Sequence, residues 1–288
     1  MSALTWRDVL RTGAARLHGA GLGDEAEGDA RRLLEAAGGL DGAGLMARLN
    51  ETIPEADAAR FDALIARRAQ REPLSHIIGS VGFWTLDLIV TRDVLTPRPD
   101  TETIVEAALA SVSDRIAPLE ILDIATGSGA IALALLSELP NARAVATDIS
   151  APALAVAREN AARNGLAKRI TFIETSWADG LDGPFDLLVS NPPYIASAVI
   201  ETLEPEVKEF EPRLALDGGP DGLAPYPHLF AEARRLLKPG GTGVFEIGFD
   251  QGDAALSLAR AAGFETVSLR RDLGGNDRAI VASSAYIG

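Results

Sequence analysis

Apolar and polar positions follow two different rhythms along this chain. Up to about residue 72 the rhythm is helical. Thr5 is placed to cap a helix carrying Val9, Leu10 and Leu17, and Asp24 a second with Ala26, Ala30, Leu33, Leu34 and Ala37 on one face. Gly38-Gly39 would stop that helix, Asp41 to Asn50 reads as a short third, and Pro54 opens a fourth with Phe61, Leu64, Ile65 and Ala69 at helical spacing. Residues 73–99 change character. Ile77 to Trp84 and Leu86 to Val90 suggest two strands of a hairpin, followed by the proline-stiffened turn Thr96-Pro97-Arg98-Pro99-Asp100-Thr101-Glu102. Asp100 is placed to cap the next helix, which carries Ile104, Val105, Ala108 and Leu109.

From residue 118 strand and helix alternate, which predicts an α/β sheet, mostly parallel, with helices on both faces. Strands are expected at Leu119 to Ile124, Arg143 to Thr147, Ile170 to Glu174, Phe185 to Ser190 and Thr242 to Ile247. The helix from Leu229 to Leu237 is expected to end at Lys238-Pro239-Gly240-Gly241. Phe264 to Leu269 and Ala279 to Ala282 read as an antiparallel pair at the sheet edge. The resulting division is a helical domain over 1–72, a hairpin and linker over 73–99, and an α/β domain over 100–288.

Two strand ends carry chemistry. Asp123 to Gly129 follows the first strand of the sheet and opens a helix, the position of a nucleotide-type ligand. Its glycines let backbone approach a ligand closely. Asp148 ends the next strand 19 residues past Gly129, where a carboxylate can accept both hydroxyls of a ribose. The third glycine of the dinucleotide fingerprint is missing, which favours S-adenosylmethionine over a pyrophosphate-bearing cofactor. The second end is Asn191-Pro192-Pro193-Tyr194, after the apolar run Phe185 to Ser190. Neither proline offers an N–H to a ladder, so the sheet must stop there. The turn holds one carboxamide and a row of carbonyls, acceptors suited to the N–H groups of a planar amide or amine. Trp177, in the loop after the third strand of the sheet, is either an ordinary packed aromatic or a flat wall beside an adenine.

Composition narrows the classes. With 27 Lys and Arg against 41 Asp and Glu the net charge is −14, which argues against a substrate held through phosphates. The absence of cysteine excludes disulfide and thiolate chemistry and fits a reducing cytoplasm. His18, His76 and His228 are widely separated, so no metal site is expected. No apolar run approaches the roughly 20 residues of a membrane span.

These motifs together resemble the release-factor glutamine N5-methyltransferase family of the HemK/PrmC type. The likeness runs through Arg71-Glu72-Pro73, Leu95 to Glu102, Asp123 to Gly129, Asp148 to Ser150 and Asn191 to Ile195. It continues through Glu211-Pro212, Gly218 to Leu223, Glu246 to Gly248 with Gln251, and Asp272 to Arg278. It implies a class I S-adenosylmethionine-dependent methyltransferase, Rossmann-like, with a mostly parallel seven-stranded sheet and a small N-terminal helical bundle. It also implies methyl transfer to the glutamine of a Gly-Gly-Gln motif in class I peptide-chain release factors, docked by the helical domain. On this resemblance Ala125, Thr126, Gly127, Ser128, Gly129, Asp148, Trp177 and Asn191 contact S-adenosylmethionine. Asn191, Pro192, Pro193 and Tyr194 hold the glutamine, with Asn191, Pro192 and Tyr194 as catalytic residues. No metal, direct nucleic-acid partner or membrane partner is expected. Ala125 stands where the family usually has glycine, His76 where tyrosine is common and Asp100 where glutamate is usual. Arg98, Glu102, Glu211 and Glu246 carry no assigned role. Three alternatives remain open: a ribosomal-protein glutamine methyltransferase, an adenine N6 methyltransferase on nucleic acid, and a catalytically silent cofactor-binding partner protein.

Overall fold

The computed structural model describes residues 4–284. The chain forms two compact units, one of Met1–Gly79 with Glu204–Phe210, the other of Ser80–Leu203 with Glu211–Gly288.

The first unit is helical, with helices at Trp6–Gly19, Glu25–Gly38, Gly42–Arg48, Glu55–Ala69 and Leu74–Ile78. Thr5 caps the first in a reciprocal box with Asp8, and Asp41 caps the third by accepting from the Gly44 N–H at 2.7 Å. Asp24 makes no such cap, because its backbone is already helical. Trp6, Leu17, Leu33, Leu34, Phe61 and Ile65 fill the core. Arg68 is buried in this unit and held by Asp29 at 2.6 Å, Glu206 at 2.8 Å and Glu25 at 3.0 Å. Its guanidinium thus ties the 204–210 segment to the helices, using the fork of donors that lets Arg serve several carboxylates. Ile77 and Ile78, expected to open a strand, instead end a single helical turn, Leu74–Ile78. Pro73 opens it and Gly79, at φ 85°, ends it.

In the second unit Ser80–Phe83 (β1) and Leu86–Ile89 (β2) form an antiparallel hairpin. Asn160, fully buried, accepts from the Ile89 N–H at 2.6 Å and donates to the Ile89 and Ser128 carbonyls, both at 3.0 Å. One amide therefore binds the hairpin to the loop after the next strand. Glu102 accepts from the Trp84 N–H at 2.7 Å, which fixes the hairpin turn to the helix Glu102–Ser111.

The main sheet contains Glu120–Ile124 (β3), Arg143–Asp148 (β4), Ile170–Glu174 (β5), Phe185–Ser190 (β6), Leu237–Glu246 (β7), Thr266–Arg271 (β8) and Asp277–Ser283 (β9). Its order is β5-β4-β3-β6-β7-β9-β8, parallel from β5 to β7, with β9 antiparallel to both neighbours. The expected antiparallel pair is found at the sheet edge, with β9 between β7 and β8 and β8 outermost. β7 also begins earlier than expected, at Leu237, and Lys238 to Gly241 lie within it across a register shift against β6.

Side chains of the central strands alternate between two cores. Ile121, Leu187, Val189 and Val244 pack on one face with the helices Glu102–Ser111 and Ala130–Glu138. Leu122, Leu188, Phe245 and Ile280 pack on the other with Pro225–Leu236 and Gly252–Ala261. Burial on both faces is why these strands read as nearly unbroken apolar runs.

Candidate active site

The chain runs outward from β3 to β5, then returns to the other side of β3 as β6. The strand order therefore reverses between β3 and β6, and ligands of such sheets bind outside the carboxyl ends at that point. Register fixes what lies there. Thr147, Ile124, Ser190 and Phe245 are paired across four neighbouring strands. One residue further on, the row reads Asp148, Ala125, Asn191 and Glu246.

A cavity of about 650 Å³ opens along this row. Ala125, Thr126, Gly127, Ser128, Asp148, Trp177, Asn191 and Pro193 line it. Gly129, Pro192 and Tyr194, also expected at the site, do not. Gly129 starts the helix Ala130–Glu138 at φ 84°, Pro192 is buried, and the Tyr194 hydroxyl donates away to Glu246 at 3.1 Å.

The glycine loop is pinned from below. Asp123, buried, accepts from the Thr126 hydroxyl at 2.6 Å and the Ala132 N–H at 3.3 Å. Burial pushes its carboxyl up to about 7, against those two donors. The Thr126 N–H donates to the Thr147 carbonyl at 2.9 Å. Asp148 accepts from the Gly127 N–H and the Ser150 N–H, each at 2.9 Å. Burial raises its pKa, and those same N–H groups act the other way. A carboxylate offers about four acceptor sites, so acceptor capacity remains for ligand hydroxyls.

Ala125 has φ 58°. This left-handed conformation suits glycine and strains alanine, which accounts physically for the glycine usual there. Ala125→Gly is therefore expected to stabilise the fold by about 1 kcal/mol, read as a higher urea midpoint at unchanged slope. Trp177 shares the conformation, at φ 52°, and its carbonyl accepts from the Thr147 hydroxyl at 2.6 Å. Its ring lies beside His228 with centroids 6.1 Å apart.

The proline turn is buttressed by the segment 216–222. The Ile195 N–H donates to the Leu216 carbonyl at 3.0 Å, and the Gly218 N–H to the Ile195 carbonyl at 2.9 Å. Gln251 donates to the Tyr194 and Gly222 carbonyls at 2.9 and 3.2 Å, while its oxygen accepts from the Gly248 N–H and the Tyr226 hydroxyl. In the sequence Gln251 is marked only by its place in a stretch that matches the family. The structure makes it the clamp of the turn.

Arg98 and Glu211 form an ion pair at the rim, at 2.8 Å, and Glu211 also accepts from the Thr96 N–H. Glu246 ends β7 fully buried. Arg278 pairs with Asp272 at 3.0 Å and Asp100 at 3.2 Å. Asp100 therefore serves that pair and does not cap the helix.

The sheet order, the reversal point and this row of strand ends define a class I S-adenosylmethionine-dependent methyltransferase fold. A model described as the PrmC N-terminal domain matches residues 8–79, and one described as the methyltransferase small domain matches residues 105–207. The chain is 48% identical over 267 residues to the release factor glutamine methyltransferase of Caulobacter vibrioides, covering 92% of each. It is 46% identical over 275 residues to that of Cereibacter sphaeroides, covering 96% of this chain and 97% of the other. In fold it is similar to a methyltransferase from Pyrococcus furiosus, with TM-score 0.52 and 19% identity over 69% of this chain and 89% of that one. The chain belongs to the release factor glutamine methyltransferase family.

Among the described residues no helix is long and apolar enough to cross a membrane, and no group of His, Asp and Glu could hold a metal ion.

Proposed function

We propose that this protein transfers a methyl group from S-adenosylmethionine to the side-chain amide nitrogen of the glutamine in the Gly-Gly-Gln motif of class I peptide-chain release factors. The observation that carries this reading is the register row, which sets the Asn191 carboxamide beside the glycine loop and Asp148 at the point of strand reversal.

The residues present fit the donor. Asp148 retains acceptor capacity for a ribose, and a Cβ on Gly127 would stand in open space beside the cavity, room that a ligand can take. Ala125 to Ser128 would hold the donor from the backbone side, and Trp177 would flank its base. S-adenosylmethionine, when bound, supplies an electrophilic methyl group on a sulfonium.

The chain's own task is orientation. An amide nitrogen is a poor nucleophile because its lone pair is delocalised. Its two N–H groups would be taken by the Asn191 side-chain oxygen and, although the Pro192 ring is buried outside the cavity, by the Pro192 carbonyl next along the turn, acceptors that strengthen as positive charge develops on nitrogen. The rigid turn then holds the lone pair toward the methyl carbon, and alignment of that kind is worth about 7–11 kcal/mol in favourable cases. Pro193 and Tyr194 pack the turn into shape. The proton leaves after transfer, when the charged amide is strongly acidic. The N-terminal helical unit offers the docking surface for the release factor.

The test is intact-mass analysis of a purified class I release factor after incubation with enzyme and donor. One added methyl is expected, located on the Gly-Gly-Gln glutamine and absent when that glutamine is replaced. Label only on a ribosomal protein or on nucleic acid overturns the assignment. Asp148→Ala is expected to weaken donor binding by about 1.5–3 kcal/mol, the worth of charge-assisted hydrogen bonds. Calorimetry giving wild-type affinity would refute the ribose-binding role.

A further inference from the structure

The stretch between the hairpin and the helix Glu102–Ser111 runs along the cavity from one end to the other. Val94 shares a buried cluster with Ala153 and Val156, on the helix that follows Asp148, so it belongs to the end that fits the methyl donor. Further on, the Thr101 hydroxyl lies 3.4 Å from Asn191 Nδ2, at the end read as holding the methyl acceptor. Arg98 stands at this second end. Its carbonyl accepts from the Thr101 N–H at 3.1 Å, and its side chain lines the cavity.

The Arg98 guanidinium is anchored on one side only. Nη2 donates to both oxygens of Glu211, at 2.8 and 2.9 Å, and among the described residues these are its only hydrogen bonds. Nη1 and Nε are left to donate, on a side chain 44% exposed at the cavity. Glu211, 1% exposed, is fixed from behind by the Thr96 N–H at 3.4 Å. It also opens the segment whose Leu216 carbonyl accepts from the Ile195 N–H, so the ion pair and the proline turn share a support. The planar fork is thus held in place before any ligand arrives, which lowers the ordering cost of a further hydrogen bond.

Charge and shape decide what such a fork takes. Glu211 already compensates the positive charge of Arg98, which favours a neutral acceptor over a phosphate or carboxylate. An amide carbonyl is the neutral acceptor that a peptide offers. The rim around Arg98 is apolar, formed by Pro97, Pro212 and the 60% exposed Leu214. Fixed donors inside an apolar rim suit a main chain with little side chain, as a glycine-rich segment presents.

We propose that Arg98, held by Glu211, is a specificity residue for the methyl acceptor, donating from Nη1 and Nε to the main-chain carbonyl of the glycine that precedes the glutamine. Asn191 and Pro192 then hold the side-chain amide while Arg98 holds the chain that bears it. The proposal rests on the reading of a Gly-Gly-Gln glutamine as the acceptor and adds how its backbone is fixed.

Arg98→Ala would strand a buried carboxylate and endanger the fold, so the test uses Arg98→Lys. Lysine keeps a positive charge for Glu211 but has no fork to reach a second acceptor. In turnover assays on a purified release factor, KM for that protein is expected to rise about 10- to 100-fold, the worth of a hydrogen bond from a charged donor. The kcat value should change little, because the contact is made in ground and transition states alike. Donor affinity by calorimetry should stay at wild type. An unchanged KM overturns the proposal. So does a comparable loss of donor affinity, which would place the donor's carboxylate on Arg98. A semisynthetic release factor with an ester in place of the Gly–Gln amide weakens the glycine carbonyl as an acceptor. It should cost the wild type about 3- to 10-fold more in kcat/KM than it costs Arg98→Lys. Equal losses in the two enzymes overturn the assignment, and a merely structural role for Arg98 predicts that equality. A wild type that leaves the glutamine unmethylated overturns the proposed function and this proposal with it. Methylation with the same KM in both enzymes overturns this proposal alone.

Discussion

Asn191→Ala is expected to lower kcat by about 10²–10³-fold while donor affinity stays close to wild type. The magnitude is that of removing one preorganised hydrogen-bonding group aimed at developing charge. Asn191 is well placed for this because nothing in its surroundings needs to move. It sits one residue past Ser190, which is locked between β3 and β7 by register and donates its hydroxyl to the Ile124 carbonyl at 2.8 Å. Alanine removes the acceptor and leaves the Pro192 carbonyl as the sole grip on the amide. On the proposed reading the donor, by contrast, is held chiefly by the glycine loop and Asp148, whose hydrogen bonds do not involve the Asn191 side chain. Single-turnover measurement at saturating donor separates chemistry from binding. A wild-type rate constant in Asn191→Ala would end the amide-gripping mechanism, whatever the variant does to KM. Asn191→Asp is a sharper version. It keeps an acceptor but introduces a charge near Glu246, and should also fall well below wild type.

The strands that build the site were legible because both of their faces are buried. Phe185 to Ser190 and Leu119 to Ile124 are apolar runs that a half-exposed strand would not need, and their ends carry the glycine loop and the proline turn. Legibility failed where one residue answers to a distant partner. Ile77 and Ile78 are β-branched and read as strand, yet Pro73 and the left-handed Gly79 close a single helical turn that buries Ile77 in the helical unit. Lys238 to Gly241 read as a helix stop. They continue β7, because Leu237 already pairs with Phe185 across the bulge. Asp100 stands where a cap is expected, but its carboxylate is drawn to Arg278, 178 residues away in sequence. The order of the last two strands was hidden for a similar reason. Alternation shows which face a strand buries and is silent on which neighbour it joins. Glu246 and Gln251 stand in recognisable stretches whose sequence does not reveal their contacts, since each acts on a turn about 50 residues upstream. The one usable signal was the cluster Gly218-Gly219 and Gly222 in a segment without periodicity, a mark of close backbone approach.

That approach gives the second large effect. Gly222→Ala is expected to destabilise the fold by about 3 kcal/mol and to depress turnover further than the loss of folded protein explains. Gly222 has φ 76°, and a Cβ there would lie 2.3 Å from the Tyr194 carbonyl oxygen and 2.7 Å from Gln251 Nε2. These two atoms are hydrogen-bonded to each other at 2.9 Å, so the methyl group would wedge open the clamp of the proline turn. Neither neighbour has room to yield. Gln251 is engaged at both ends of its amide, and the Tyr194 side chain is anchored on Glu246. The turn must then shift outward, carrying the Pro192 carbonyl and Asn191 away from the line of methyl transfer. A misplacement of about 1 Å can cost 10²-fold in rate. Gly165→Ala is the matched control. It has a similar φ of 72° but no atom within 4 Å of the added Cβ, so it carries the backbone strain without the wedge. It should cost about 1 kcal/mol and leave kcat unchanged. Denaturant midpoints give the stabilities, and kcat under conditions where both variants are fully folded gives the rest. Equal kcat in the two variants would show that the buttress behind the turn does not govern the chemistry in front of it.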